Sequence, residues 1–174
     1  MVSQIIGFTI PALVVFACVW VVLGYQYRAE DKKRLWELQR ASAKEITQIR
    51  LRAYERLVLL LERTEPEHLL VDMDINSLSI IDMQRSLLRT VRMEFDHNLS
   101  QQVYVSDRVW EHILQARDEM ASFISTMAQQ MPKDSTSLQY AQVLLTAYRN
   151  NGITPHQTAL NLIKEEARQL LDHR

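Results

Sequence analysis

An all-α fold, with one N-terminal transmembrane helix leading into a cytoplasmic bundle, is what this sequence predicts. Three observations carry the expectation. Only 3 Gly and 4 Pro interrupt 174 residues, too few to supply a turn about every 8–12 residues, as a many-stranded fold needs. Apolar residues recur in steps of three and four, the period of one helix face. The first 27 residues contain no Asp, Glu, Lys or Arg. The rest of the composition, 47% hydrophobic and 24% charged, is that of a folded chain rather than a disordered one. Cys18 is the single cysteine, which excludes an intramolecular disulfide and any cysteine-based zinc site.

Residues 1–27 read as the anchor. "IIGFTIPALVVFACVWVVLGYQY", from Ile5 to Tyr27, carries no charge and as a helix spans about 34 Å, enough for a hydrocarbon core of about 30 Å. Trp20, Tyr25 and Tyr27 gather at one end, where amphipathic rings favour the headgroup level. Pro11 removes one backbone hydrogen bond, which membrane helices tolerate. A cleaved leader would need a positive start and a small-x-small cut; "MVSQ" and "VLGYQYRAE" supply neither.

Charge is unevenly placed. Residues 28–63 hold ten Lys/Arg against six Asp/Glu, and residues 64–174 hold ten against fifteen. Arg28, Lys32, Lys33 and Arg34 follow the apolar run at once, while nothing basic precedes it. By the positive-inside rule the N-terminus lies outside and the body in the cytoplasm. The same four residues suit anionic headgroups, and their tether to a bilayer argues against nucleic acid as partner.

Residues 28–50 are expected to form a basic juxtamembrane stalk helix, and 51–174 a bundle of about four to five helices. Leu35, Leu38, Ser42, Ile46, Ile49, Ala53, Leu57 and Leu60 mark one helix face, with no Gly or Pro between Tyr25 and Pro66. Unbroken, that helix would hold the body up to about 55 Å from the bilayer. Pro66 closes it or opens a short successor. "SIID", residues 79–82, has the capping-box form, and a second helix follows on Ile81, Leu88, Val91, Phe95, Leu99 and Val103. Ser106 caps a third, bearing Trp110, Ile113, Met120, Ile124, Met127 and Met131, whose methionines suit core packing better than an adaptable docking seam. A fourth, 136–149, presents Leu138, Ala141, Leu145 and Tyr148 and ends at Gly152. Thr154, Pro155 and Gln157 start the last, which carries Leu160, Ile163, Ala167 and Leu170.

Chemistry concentrates in "MEFDHNLSQQVYVSDRVWEHI", residues 93–113. Glu94-x-x-His97 places a carboxylate and an imidazole on one helix face, and Glu65-x-x-His68 repeats the pattern. Dinuclear iron or manganese bundles use two such pairs with further glutamates, for which Glu111, Glu119, Glu165 and Glu166 are candidates. A membrane-anchored di-metal oxidoreductase is therefore the alternative reading. Against it, Pro66 breaks one pair's helix, and the apolar stripe through Val91, Phe95 and Leu99 puts Glu94 and His97 to the flank and far side. The sequence thus predicts no metal, no cofactor and no catalytic residue. His68, His97, His112, His156 and His173 are expected as solvated or capping groups. The three glycines, at 7, 24 and 152, build no phosphate loop, and Ser106 as a cap has its oxygen committed to backbone amides.

Two long stretches, "LRAYERLVLLLERTEPEHLL" (51–70) and "EFDHNLSQQVYVSDRVWEHI" (94–113), resemble a family of small single-pass bacterial inner-membrane proteins of unknown function. The motif positions are Arg52, Tyr54, Glu55, Arg56 and Glu62 in the first, and His97, Asn98, Leu99, Ser100, Gln101, Gln102 and Tyr104 in the second. The resemblance implies the architecture and no activity. The polar run "HNLSQQ" is expected to hydrogen-bond to the Arg52–Arg56 region, locking a hairpin, or else to form a binding face. The function expected is a non-enzymatic membrane-anchored scaffold, adaptor or accessory subunit of a membrane complex. Its partners would be the bilayer and other membrane or cytoplasmic proteins, a second copy included.

Overall fold

A computed structural model of the chain describes Phe16, Trp20, residues 36–71 and residues 73–172. Among these, every regular element is helical. The chain divides into two compact units, Met1–Ile46 and Thr47–Arg174. In the first, residues 36–46 are helical, and the large apolar side chains Trp36, Leu38 and Ile46 are exposed. Among the described residues no helix is long and apolar enough to cross a membrane. The expected anchor, 1–27, lies outside the described residues apart from Phe16 and Trp20, and Arg28, Lys32, Lys33 and Arg34 lie outside them too.

The second unit opens on α1 (47–63), followed by the short α2 (Pro66–Val71) and a 3-10 turn, Ile75–Ser77. Then come α3 (Ile80–Asn98), a 3-10 stretch Leu99–Tyr104, α4 (Asp107–Gln129), α5 (Ser137–Asn150) and α6 (Pro155–Asp172). Local chemistry sets the starts. Ser79 and Ser106 accept hydrogen bonds from the amides of Asp82 and Val109, as their caps predict. Thr154 Oγ1 accepts from the Gln157 amide at 3.2 Å. Thr136 and Gln139 form a reciprocal capping box on α5.

The core joins Leu57, Leu60 and Leu61 of α1 to Leu87, Val91 and Phe95 of α3, and Ile113 and Ile124 of α4 to Tyr140 and Leu144 of α5. From α6 come Ala159, Leu160 and Ile163. Each fully buried leucine contributes about 1.5–3 kcal/mol through the area it removes from water. Helix α4 packs along both α3 and α6. The methionine reading holds, with Met120 buried and Met127 and Met131 packed partly against the core.

The structure corrects several positions on the apolar stripes. Ile81, at 66% exposure, and Val103, at 77%, face solvent, while Met83 and Leu87 are buried in their place. Helix α3 ends at Asn98, whose Nδ2 donates to the Glu94 carbonyl at 2.8 Å, and 3-10 geometry replaces the expected last turn. On α5, Leu138 is exposed, whereas Tyr140 is buried with its hydroxyl donating to the Ile124 carbonyl at 2.8 Å.

His156 is the largest correction among the polar residues. Expected as solvated or capping, it is 1% exposed, with Nε2 3.0 Å from the hydroxyl of buried Thr64. That hydroxyl lies 2.9 Å from the Leu60 carbonyl of its own helix. Burial pulls the imidazole down to about 4, and its place in the first turn of α6 further disfavours the cation. The neutral form therefore belongs to the fold. Between pH 6.5 and 4 the unfolded chain binds a proton that the folded one refuses, so stability falls as the pH drops through that window. His156→Gln should flatten this dependence. Urea titrations at pH 7 and pH 5 should show the native chain losing about 2 kcal/mol more than the variant.

Candidate interaction surface

Two polar constructions involve the motif stretches, one internal and one facing outward. The internal one centres on the Glu166 carboxylate of α6. Arg50 Nη2 donates to its Oε1 at 3.0 Å, and the Tyr54 hydroxyl donates to the same oxygen at 2.9 Å. The Ser106 amide donates to Oε1 at 3.1 Å and the Ser106 hydroxyl to Oε2. Arg50 also sends Nε to the Tyr104 carbonyl at 3.0 Å and lies over the Tyr54 ring, 5.8 Å from its centroid. The Tyr54 hydroxyl is pushed up to about 12, by burial first and then by the carboxylate that it serves. The first long helix is thus tied to the 94–113 stretch with Tyr54 of the expected Arg52–Arg56 region taking part, but through Tyr104 and Ser106 rather than through "HNLSQQ". Asn98 bonds its own helix, and Gln101 Nε2 donates to neighbouring Ser100 Oγ at 3.2 Å. Both Asn98 and Gln101 are buried, while Gln102 and Tyr104 are exposed.

The outward construction is a groove of about 390 Å³ between α1 and α3. Arg56, Leu59 and Arg63 line one wall, and Met93, Glu94 and His97 the other, with Asn98 beside them. Leu59 and Met93 are 51% and 58% exposed, two large apolar side chains in a polar rim. Arg52, Arg56, Leu59 and Arg63 follow steps of four, three and four, so one face of α1 carries them all. Among the described residues none of these three arginines makes an ion pair, whereas Arg85, Arg92 and Arg149 each do. Glu55 is exposed on the same helix. A second depression of about 730 Å³ shares Arg63 and Glu94 with the groove and adds His68, Ser86 and Thr90.

The two Glu-x-x-His pairs are not assembled together. His97 is exposed, and the one convergent set of potential ligands among the described residues is Glu62, Glu65 and His68.

A model of a family of unknown function, DUF7935, matches residues 1–170. The chain belongs to that family. No curated protein and no solved structure matches it significantly. The match covers both long motifs and brings no activity with it.

Arg50, Ser106 and Glu166 stand outside the motif positions on which the resemblance rests. Glu166 falls three residues after Ile163 but directly beside Glu165, so the sequence alone does not mark which of the two carboxylates meets these donors. Replacing Glu166 by Ala would leave Arg50, Tyr54 and Ser106 without their shared acceptor, and a loss of about 2–4 kcal/mol is expected. Tyr54→Phe should lose about 1 kcal/mol. A double-mutant cycle in urea should return a positive coupling between the two, and additive losses would mean that the hydroxyl and carboxylate act independently.

Proposed function

We propose that the protein is a non-enzymatic, membrane-anchored helical scaffold or adaptor that receives an acidic amphipathic helix of a partner protein in its α1–α3 groove. The unpaired arginines beside exposed Leu59 and Met93 carry this reading. An occupant with carboxylates flanking apolar residues would neutralise Arg52, Arg56 and Arg63 while covering the two apolar seats. Uncharged residues 1–27, followed at once by Arg28, Lys32, Lys33 and Arg34, support the anchor and a cytoplasmic body at a bacterial inner membrane. The protein then acts as an accessory subunit, holding its partner near the bilayer.

Two measurements test the proposal. The full chain should resist extraction from membranes by alkaline carbonate, and a chain lacking residues 1–27 should not sediment with them. Release of the full chain would remove the anchor. A photo-crosslinking amino acid at position 93 should form an adduct with another protein in cells. Arg56→Glu with Arg63→Glu should cut its yield about tenfold or more, with an unchanged melting temperature, because exposed substitutions of this kind seldom move stability by more than about 0.5 kcal/mol. Adducts to lipid, or only to a second copy of the chain, would refute the acidic-helix partner.

A further inference from the structure

The junction of α1 and α2 holds a group of side chains that neither the internal clasp nor the groove uses as a unit. Pro66 has no amide hydrogen and disfavours helical geometry in the residue before it. The chain therefore breaks at Thr64 and Glu65 and restarts, with the His68 amide donating to the Glu65 carbonyl at 3.0 Å. The break brings together three residues spaced by three. One ligand atom from each of Glu62, Glu65 and His68 lies within 4.8 Å of the other two. From this geometry we propose that Glu62, Glu65 and His68 form a surface site for one divalent transition-metal ion of the zinc class.

Donor chemistry, orientation and charge support the assignment. An imidazole with two carboxylates is a nitrogen–oxygen set suited to zinc and its neighbours rather than to calcium or magnesium, which prefer all-oxygen shells. Metal–ligand bonds of about 2.0–2.2 Å need donors about 3–3.5 Å apart, so side-chain rotations of an ångström or so close the set. Glu65 is already oriented from outside it: the Tyr148 hydroxyl of α5 donates to Oε1 at 3.1 Å, which leaves Oε2 for an ion. A hydroxyl or amide behind a ligand is the usual outer support of a metal site. Tyr148 is itself held, with its ring 6.0 Å from that of Phe123.

The charge is otherwise uncompensated. Among the described residues no Lys or Arg forms an ion pair with Glu62 or Glu65, although neighbouring Glu67 is paired with Arg149 at 2.8 Å. Arg63 lines the same depression as His68 without pairing either carboxylate. Glu62 and Glu65, three residues apart, are like charges that repel one another. A dication would relieve that repulsion and staple α1 to α2, with α5 attached through Tyr148. The exposed side of His68 leaves room for water to complete the shell. This is a single-ion surface site; Glu94 and His97 take no part, and the function proposed above does not depend on it.

Titration of the full chain in detergent with zinc chloride, followed by calorimetry and by melting temperature, tests the site. One equivalent should bind and raise the melting temperature. Glu65→Gln and His68→Gln should each weaken binding about tenfold or more, and Tyr148→Phe should weaken it in the same direction by losing the outer support. Glu94→Gln and His97→Gln should leave it unchanged. Since His68 is exposed, its variant keeps the fold, and the apo melting temperature checks this. Absence of binding, or equal affinity in the Glu65 and His68 variants, would overturn the assignment. So would two equivalents whose binding depends on Glu94 and His97, the mark of a dinuclear centre.

Discussion

The Glu166 carboxylate is the constraint from which the second unit's geometry follows. A carboxylate with 16% side-chain exposure is tolerated only when its oxygens are well supplied with donors. Here the supply comes from distant parts of the chain: Arg50 and Tyr54 on α1, and the amide and hydroxyl of Ser106 at the start of α4. The amide terminus of α4 is also where a negative charge is favoured. Helix α6 is thereby tied to α1 and to the 3-10 connection in one place, and Arg50 holds the connection again through the Tyr104 carbonyl. The connection cannot slide along α1 without breaking several of these bonds together. Its position sets where α3 ends, and so which residues of α3 face Arg56 and Arg63.

A second tie, between Thr64 and His156, completes a register. The two ties lie ten residues apart on α1 and ten apart on α6, in opposite senses along the chain. Helices of equal rise linked this way run antiparallel. In that register Leu57 falls level with Ile163, Leu60 with Leu160 and Leu61 with Ala159, all of them buried. The interface is therefore apolar along its length and polar at both ends. Leucine-rich faces pack acceptably in more than one register, whereas a slip by one turn would strand Glu166 and Thr64 without partners. Polar groups at the ends of an apolar seam thus fix its alignment, a role with parallels in coiled coils.

The parts of this arrangement that were legible in the sequence are local. Ser79, Ser106 and Thr154 announce helix starts because a cap depends on residues three apart. The apolar period announces helices but fixes their rotation less well: Ile81 and Leu138 fit the spacing of buried positions, yet neighbouring Met83 and Tyr140 take the interior. The polar interior was harder to read. His156, Asn98 and Gln101 are polar residues near element ends, where solvation is the ordinary outcome, and only tertiary packing buries them. Glu166 sits beside Glu165 in "KEEA", and nothing local shows which of the two turns inward. The two motifs, one with Tyr54 and the other with Tyr104, did mark a contact between distant segments. Its decisive donors and acceptor, Arg50, Ser106 and Glu166, lay just beyond or far from the conspicuous residues.

What the interior leaves over explains the outer face. Helix α1 has four arginines, and Arg50 alone is engaged within the fold. Arg52 and Arg56 stand four residues apart, a like-charge spacing that weakens a helix by a few tenths of a kcal/mol. The position four residues from Arg63 toward the N-terminus holds exposed Leu59, where a carboxylate would have given an intrahelical pair. A helix shaped only for solubility gains from such pairs, and α3 uses them: Arg85 meets Asp82, and Arg92 meets Asp96. The exposed face of α1 instead combines repelling cations with an uncovered leucine. That combination is mildly unfavourable for the isolated chain and is relieved by an oppositely charged, partly apolar surface. The groove is therefore better understood through the surface that would cover it than through the fold that presents it.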